Sequence, residues 1–140
     1  MNDPNPPTDH VGLEVLSSAQ CDELLADNTI GRLAFVSDGG VVIFPVNYRY
    51  TNHTIVFRTA DGTKLDVAAN HQPVAFEIDG YDLESKTGWS VLVKGIARYV
   101  MEETEEAELA DLDLRPWAPL TRVRRWVRIS PEEITGRKIV

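Results

Sequence analysis

TIGRLAFVSDGGVVIFPVNYRYTNHTIVFRTA, residues 29–60, decides the fold. Its three apolar runs, Thr29–Ser37, Val41–Tyr50 and His53–Ala60, are rich in Val, Ile, Phe, Tyr and Thr, the residues that suit a pleated, half-buried surface. Between them lie Asp38-Gly-Gly40 and Thr51-Asn52, turn chemistry of the kind that reverses a chain within two or three residues. Connections that short exclude parallel crossovers, so the strands run antiparallel.

The alternation continues downstream. Pro73–Asp79 places Val74, Phe76 and Ile78 on one face. Gly88–Val100 reads as the longest strand, with Trp89, Val91, Val93, Ala97 and Tyr99 on one face and Gly95 at a bend or bulge. Val123–Ile129 and Glu133–Ile139 read as two last strands around a Ser130-Pro131 turn. Three helices are predicted. Ser17-Ser-Ala-Gln20 matches a capping box ahead of Cys21, Leu24 and Leu25. Thr63–Asn70 buries Leu65, Ala68 and Ala69, and Glu102–Asp111 is acidic and ends before Arg115-Pro-Trp-Ala-Pro119. The expectation is a mainly β protein, a small barrel of about six antiparallel strands with two or three short helices. Residues 1–12 hold three prolines and read as a flexible arm, leaving residues 13–140 as one domain.

Composition narrows the function classes. A net charge of −8 over 140 residues provides no general basic field for nucleic acid. No apolar run approaches the ~18 residues a membrane span needs, and no secretory leader is visible. The single cysteine, Cys21, permits neither an internal disulfide nor a cysteine metal site. These readings predict a cytoplasmic protein. His10, His53 and His71 show no metal-ligand spacing, so no metal is expected. No nucleophile stands beside an evident base and neither standard nucleotide fingerprint is present, so catalytic residues are unassigned. Any chemistry would come from a cofactor.

One local exception stands out. The strand ending in Arg58-Thr59 passes through Ala60-Asp-Gly62 into a helix start at Thr63-Lys64. Two cations, two hydroxyls and free helix N–H groups at one junction suit a phosphate. A solvated hairpin end fits the same residues about as well. Pro45 cannot donate to a ladder, so Pro45-Val46-Asn47 reads either as a protected edge or as a segment presenting polar groups to a planar ring. Of the tryptophans, Trp117 between two prolines is the least core-like. Trp126 lies among Arg122, Arg124, Arg125 and Arg128, a cluster expected to pair with the acidic helix.

In order and spacing, Thr29–Phe35, Phe44–Tyr48, Phe57–Lys64 and Gly88–Gly95 resemble the pyridoxamine 5′-phosphate oxidase-like family of flavin- and deazaflavin-binding split β-barrels. The resemblance runs from about residue 14 to the C-terminus. Trp126–Ile129 and Ile134–Ile139 are similar to its small actinobacterial-type branch. It implies an obligate homodimer binding FMN between subunits, or deazaflavin in some branches. By position it implies that Arg58, Thr59, Thr63 and Lys64 meet the phosphate, and that Pro45, Val46 and Asn47 pass along the ring. Trp89 and Ser90 would approach the flavin from the partner chain, and Trp117 would supply an aromatic contact. The oxidases read Ser-Arg-Lys where this chain has Thr63-Lys64-Leu65, and their substrate-reading C-terminal motif is not recognisable here. The resemblance therefore implies a flavin-dependent oxidoreductase acting on a small organic molecule other than pyridoxamine phosphate. The alternatives are a flavin-sequestering protein without turnover and a deazaflavin-dependent reductase.

Overall fold

The structure, a computed structural model, describes residues 7–9, 12–60, 71–112, 114–115 and 124–139. Its elements are β1 (Glu14–Val15), α1 (Ser18–Asp27), β2 (Ile30–Ser37), β3 (Gly40–Asn47), β4 (Arg49–Thr51), β5 (Thr54–Ala60), β6 (Gln72–Asp82) and β7 (Thr87–Tyr99). The last two are α2 (Glu103–Ala110) and β8 (Arg124–Ile139). The helix expected over Thr63–Asn70 lies outside the described residues.

Local chemistry sets each of these elements. The Ser17 hydroxyl accepts from Gln20 N at 3.2 Å while Gln20 Oε1 accepts from Ser17 N at 2.8 Å, the reciprocal cap that starts α1. The β2–β3 hairpin turns through Asp38 and Gly39, both at positive φ, which matches the twist of the flanking strands. The β4–β5 turn uses Asn52 and His53, at φ 51° and 57°. That is one residue beyond the expected Thr51-Asn52, because Thr51 remains paired with Thr54.

The strands form one antiparallel sheet in the order β3-β2-β6-β7-β8-β5-β4, with β1 added to β8. β3 and β4 occupy opposite ends of that order, yet only Tyr48 separates them in the chain. The sheet must therefore curl until its two ends meet, and β3 does touch β5. This makes the curled half-barrel a consequence of connectivity. Its core holds Leu33, Phe35, Val46, Ile55, Phe57, Phe76, Ile78, Val91, Val93, Val127 and Ile129, all buried. Each such side chain contributes about 1.5–3 kcal/mol relative to exposure. Tyr48 sits at the closure, packed edge-on to Phe76 at 4.8 Å, and its hydroxyl donates to the Leu25 carbonyl at 2.7 Å. That bond satisfies an orphan carbonyl at the end of α1.

Two expectations are corrected. Among the described residues the sheet has eight strands, more than the six or so expected, because β1 is too short to show in an apolar pattern and the run Val41–Tyr50 divides at Tyr48 into β3 and β4. Residues 124–139 form a single strand, the longest in the molecule, in place of two strands around a Ser130-Pro131 turn. Lys94 pairs with Glu133 and Gly95 with Pro131, so the strand bulges by one residue there. A bulge leaves a backbone group outside the ladder and so tolerates a proline that lacks an N–H. Gly95 is needed opposite it, since a Cβ there would overlap the Ser130 carbonyl.

Of the segment expected as a loose arm, residues 7–9 and 12 are described, and they pack against the sheet. Val15 N donates to the Pro7 carbonyl at 2.7 Å, and Asp9 Oδ2 accepts from Arg137 Nε at 2.9 Å.

Candidate functional site

β5 lies between β4 and β8, and Arg58 and Thr59 stand near its end. The strand runs on to Ala60, so alternation keeps the two on opposite faces. Thr59 is buried at 2% exposure, directly across from Arg125. Arg58 is half-buried across from Trp126, its Cζ 4.9 Å from the ring centroid. Trp126, whose role the sequence left open, is thus a buried platform for the cation. Thr63 and Lys64 lie outside the described residues.

Arg49 pairs with Val56, so the end of β3 runs alongside the Arg58–Thr59 end of β5. There Pro45 is exposed, Val46 is buried, and the Asn47 amide Nδ2 donates to the Arg115 carbonyl at 2.9 Å. β3 is an edge strand of the sheet, in keeping with the proline. The Asn47 bond draws the segment after α2 to the same flank. Trp117, two residues past Arg115, lies outside the described residues.

Trp89 and Ser90 stand elsewhere. They pair with Lys138 and Arg137 on β8, whereas Arg58 and Thr59 pair with Trp126 and Arg125. Twelve positions along β8, about 40 Å of contour at ~3.3 Å per residue, separate the two groups. Trp89 lies over Gly80, where a side chain would collide with the indole. Around it is a shallow groove of about 240 Å³ lined by Asp79, Tyr81, Ser90 and Arg137 among others. The structure therefore brings Pro45–Asn47 to Arg58–Thr59 and holds both apart from Trp89–Ser90.

Of the basic cluster, Arg128 pairs with the acidic helix as expected, while Arg122 and the side chain of Arg124 lie outside the described residues. Glu105 of α2 accepts from Arg98 Nη2 at 3.0 Å and from Arg128 Nε at 2.8 Å, while Arg128 Nη1 also reaches the Thr54 hydroxyl. Burial opposes ionisation of Glu105, but the hydrogen bonds and charges of Arg98 and Arg128 outweigh it and hold its carboxyl below the usual range. The Arg125 guanidinium lies 5.1 Å from the Tyr99 ring centroid.

Sequence reasoning missed one group. Arg32 of β2 sits between Glu77 and Asp79 of β6, 3.7 Å and 3.5 Å away. The signal was available, since Val74, Phe76 and Ile78 facing inward leaves residues 75, 77 and 79 facing out. Cys21 is buried, and burial pushes its thiol up. Among the described residues there is no group of three or more metal-ligating side chains, and no helix is long and apolar enough to cross a membrane.

A family model described as pyridoxamine 5′-phosphate oxidase matches residues 17–138. The chain belongs to this family. The chain is similar to the FAD binding protein from Mycobacterium smegmatis, 42% identical, with a TM-score of 0.77 over 90% of this chain and 99% of that one. A conserved protein of unknown function from Corynebacterium diphtheriae is 32% identical, with a TM-score of 0.75 over 91% and 98% of the two chains. An uncharacterized protein of Mycobacterium tuberculosis is 34% identical over 122 residues, covering 84% of this chain and 79% of its own. The curled antiparallel sheet, with two helices among the described residues, is the fold these similar structures share with the chain. The expected resemblance is borne out at the level of the family.

Proposed function

We propose that this chain binds a flavin nucleotide at a site built from two copies and uses it in redox chemistry on a small organic molecule. The observation that carries this reading is the 42% identity, over nearly the whole of both chains, to a protein described as FAD binding. The donor chemistry agrees. The Arg58 guanidinium at the strand end, with Thr63 and Lys64 following within a few residues of sequence, matches the charge and acceptor oxygens of a phosphate. Trp126 beneath Arg58 fixes the guanidinium plane, which limits the entropy lost on binding. Asn47, beside the exposed Pro45, is suited to orient the polar rim of a ring.

Trp89 and Ser90 enter this site from a second copy. One chain keeps them twelve strand positions from Arg58, and a two-fold dimer is the simplest closed arrangement that joins one chain's end to the other's. The bound flavin supplies hydride transfer, so the chain's own task is to bind, orient and exclude water. FMN and FAD share the ring and inner phosphate that these residues would address. Similarity to the M. smegmatis protein favours FAD over the FMN expected from the family at large.

Mass spectrometry of the ligand released from the purified chain tests the reading directly. Colourless protein that fails to quench FMN or FAD fluorescence on titration would sink it. A second reading, a flavin carrier without turnover, draws on the description of that relative as a binding protein. Stopped-flow reduction with NADPH, NADH or reduced deazaflavin separates the two, since a carrier binds flavin tightly without catalysing electron transfer.

A further inference from the structure

The chain that follows α2 is anchored in the core. Leu109 and Leu114 are buried, Leu112 packs against the core, and Leu112 N donates to the Leu109 carbonyl at 3.0 Å. The next residue, Arg115, is exposed, and its carbonyl accepts from Asn47 Nδ2 at 2.9 Å. The two residues are 68 apart in the chain, so this bond decides where Arg115 stands. Asn47 in turn is placed by the sheet. The β4–β5 register pairs Tyr50 with Ile55 and Arg49 with Val56, and its continuation past Arg49 sets Asn47 level with Arg58. β3 does touch β5. Arg115 is therefore planted beside the strand end that carries Arg58.

Its side chain stands apart from those of the other described arginines. Arg32, Arg98, Arg128 and Arg137 each pair with a carboxylate. Arg49 donates to the Tyr48 carbonyl, while Arg58 and Arg125 lie over aromatic rings. Among the described residues the Arg115 guanidinium has no such partner, although the acidic α2 ends only a few residues before it. In a chain of net charge −8, that leaves an accessible cation on a fixed backbone, suited to an anion from solution.

We propose that Arg115 binds the second phosphate of FAD, the group that FMN lacks, and that Asn47 is the positioning residue that holds Arg115 there. The inference rests on the flavin reading above and adds a means of choosing between the two nucleotides. Arg58 addresses the inner phosphate, which FMN and FAD share. In FAD the second phosphate follows across one bridging oxygen, so its anchor has to stand beside the first. Arg115 does so from a segment remote in sequence, and its planar fork can donate to two phosphate oxygens at once.

Isothermal titration calorimetry of FMN and FAD into the full chain, freed of flavin, measures this as a ratio of affinities. The chain is expected to bind FAD at least about tenfold more tightly than FMN. Arg115→Ala should weaken FAD about tenfold and leave FMN within about twofold. Arg115→Lys keeps the charge without the fork and should retain part of the preference. Arg58→Ala, by contrast, should weaken both nucleotides alike. Asn47→Ala should lower the FAD preference, and added to Arg115→Ala it should lower it no further, because both changes remove the same contact. A wild-type chain without preference for FAD, or a folded Arg115→Ala protein that keeps the wild-type ratio, overturns the proposal. If Arg58→Ala still weakens both nucleotides in that case, the flavin reading stands and Arg115 serves an anion on the substrate or none. A wild-type chain that binds neither nucleotide overturns both readings.

Discussion

The Arg58 guanidinium lies over the indole of Trp126, directly across the β5–β8 ladder, with Cζ 4.9 Å from the ring centroid. The indole is buried, so the platform is rigid, and the cation is held at the strand end where the flavin phosphate is proposed to bind. Arg58→Ala should weaken flavin affinity by about 1.5–3 kcal/mol, roughly 10- to 150-fold. Adding Lys64→Ala should bring the total loss to about 2–4 kcal/mol, since the two contacts are partly redundant. Fluorescence titration with FMN and FAD reads both. Unchanged affinity in a folded double variant would place the phosphate elsewhere.

Glu105 fastens α2 to the sheet through Arg98 and Arg128. Its carboxyl is held below the usual range, so its contribution to stability is complete above the unfolded carboxylate value and fades as pH falls through the lower folded one. Glu105→Gln should cost about 1–3 kcal/mol at pH 7, because Arg128 loses its counter-ion while largely buried. The cost should shrink in strong acid. Urea denaturation of both proteins at pH 7 and at pH 3 tests the sign, and an equal deficit at the two pH values would contradict it.

Gly95 faces the β8 bulge, with no room for a side chain against the Ser130 carbonyl. Gly95→Ala should destabilise by roughly 3 kcal/mol or more, since the obstacle is backbone in the longest strand pair. Gly39→Ala is the informative contrast. Nothing lies within 4 Å of its added Cβ, and only the positive φ of 77° is strained. It should cost about 1 kcal/mol. Thermal melts that ranked the two variants the other way would show that the bulge yields.

Tyr48 Oη donates to the Leu25 carbonyl where the curled sheet closes. Tyr48→Phe keeps the ring against Phe76 and leaves that carbonyl without its donor, for an expected loss of about 1–2 kcal/mol. Hydrogen exchange should report faster opening at the end of α1 than in β7. Uniform acceleration would mean that the bond supports the whole barrel.

Much of the fold was legible because it rests on short-range rules. Asp38 and Gly39 turn where their tolerance of positive φ suits a hairpin, and Ser17 with Gln20 caps α1 as the spacing requires. Val91, Val93 and Ala97 face inward because alternation puts them there. β8 was misread because proline ordinarily signals a turn. Only a partner strand shows that Pro131 occupies a bulge, and that partner's register depends on Gly95, far away in the chain. β4 was read as the end of the run Val41–Tyr50, because the break at Tyr48 interrupts no apolar pattern.

The site divides along the same line. Arg58, Thr59 and Asn47 could be singled out by residue type and by position at strand ends. The indole beneath Arg58 and the Arg115 carbonyl that holds Asn47 could not, since each comes from a distant segment delivered by strand order. By itself the sequence determined the antiparallel hairpins, the inward and outward faces and the family, because these follow from side-chain period, turn chemistry and motif order. Tertiary structure alone decided that Trp89 and Ser90 stand twelve strand positions from Arg58 along β8, and that Arg32 lies between Glu77 and Asp79. The physical reason is that pairing in a curled sheet sets neighbours by register between strands remote in sequence, which no local pattern of residues encodes.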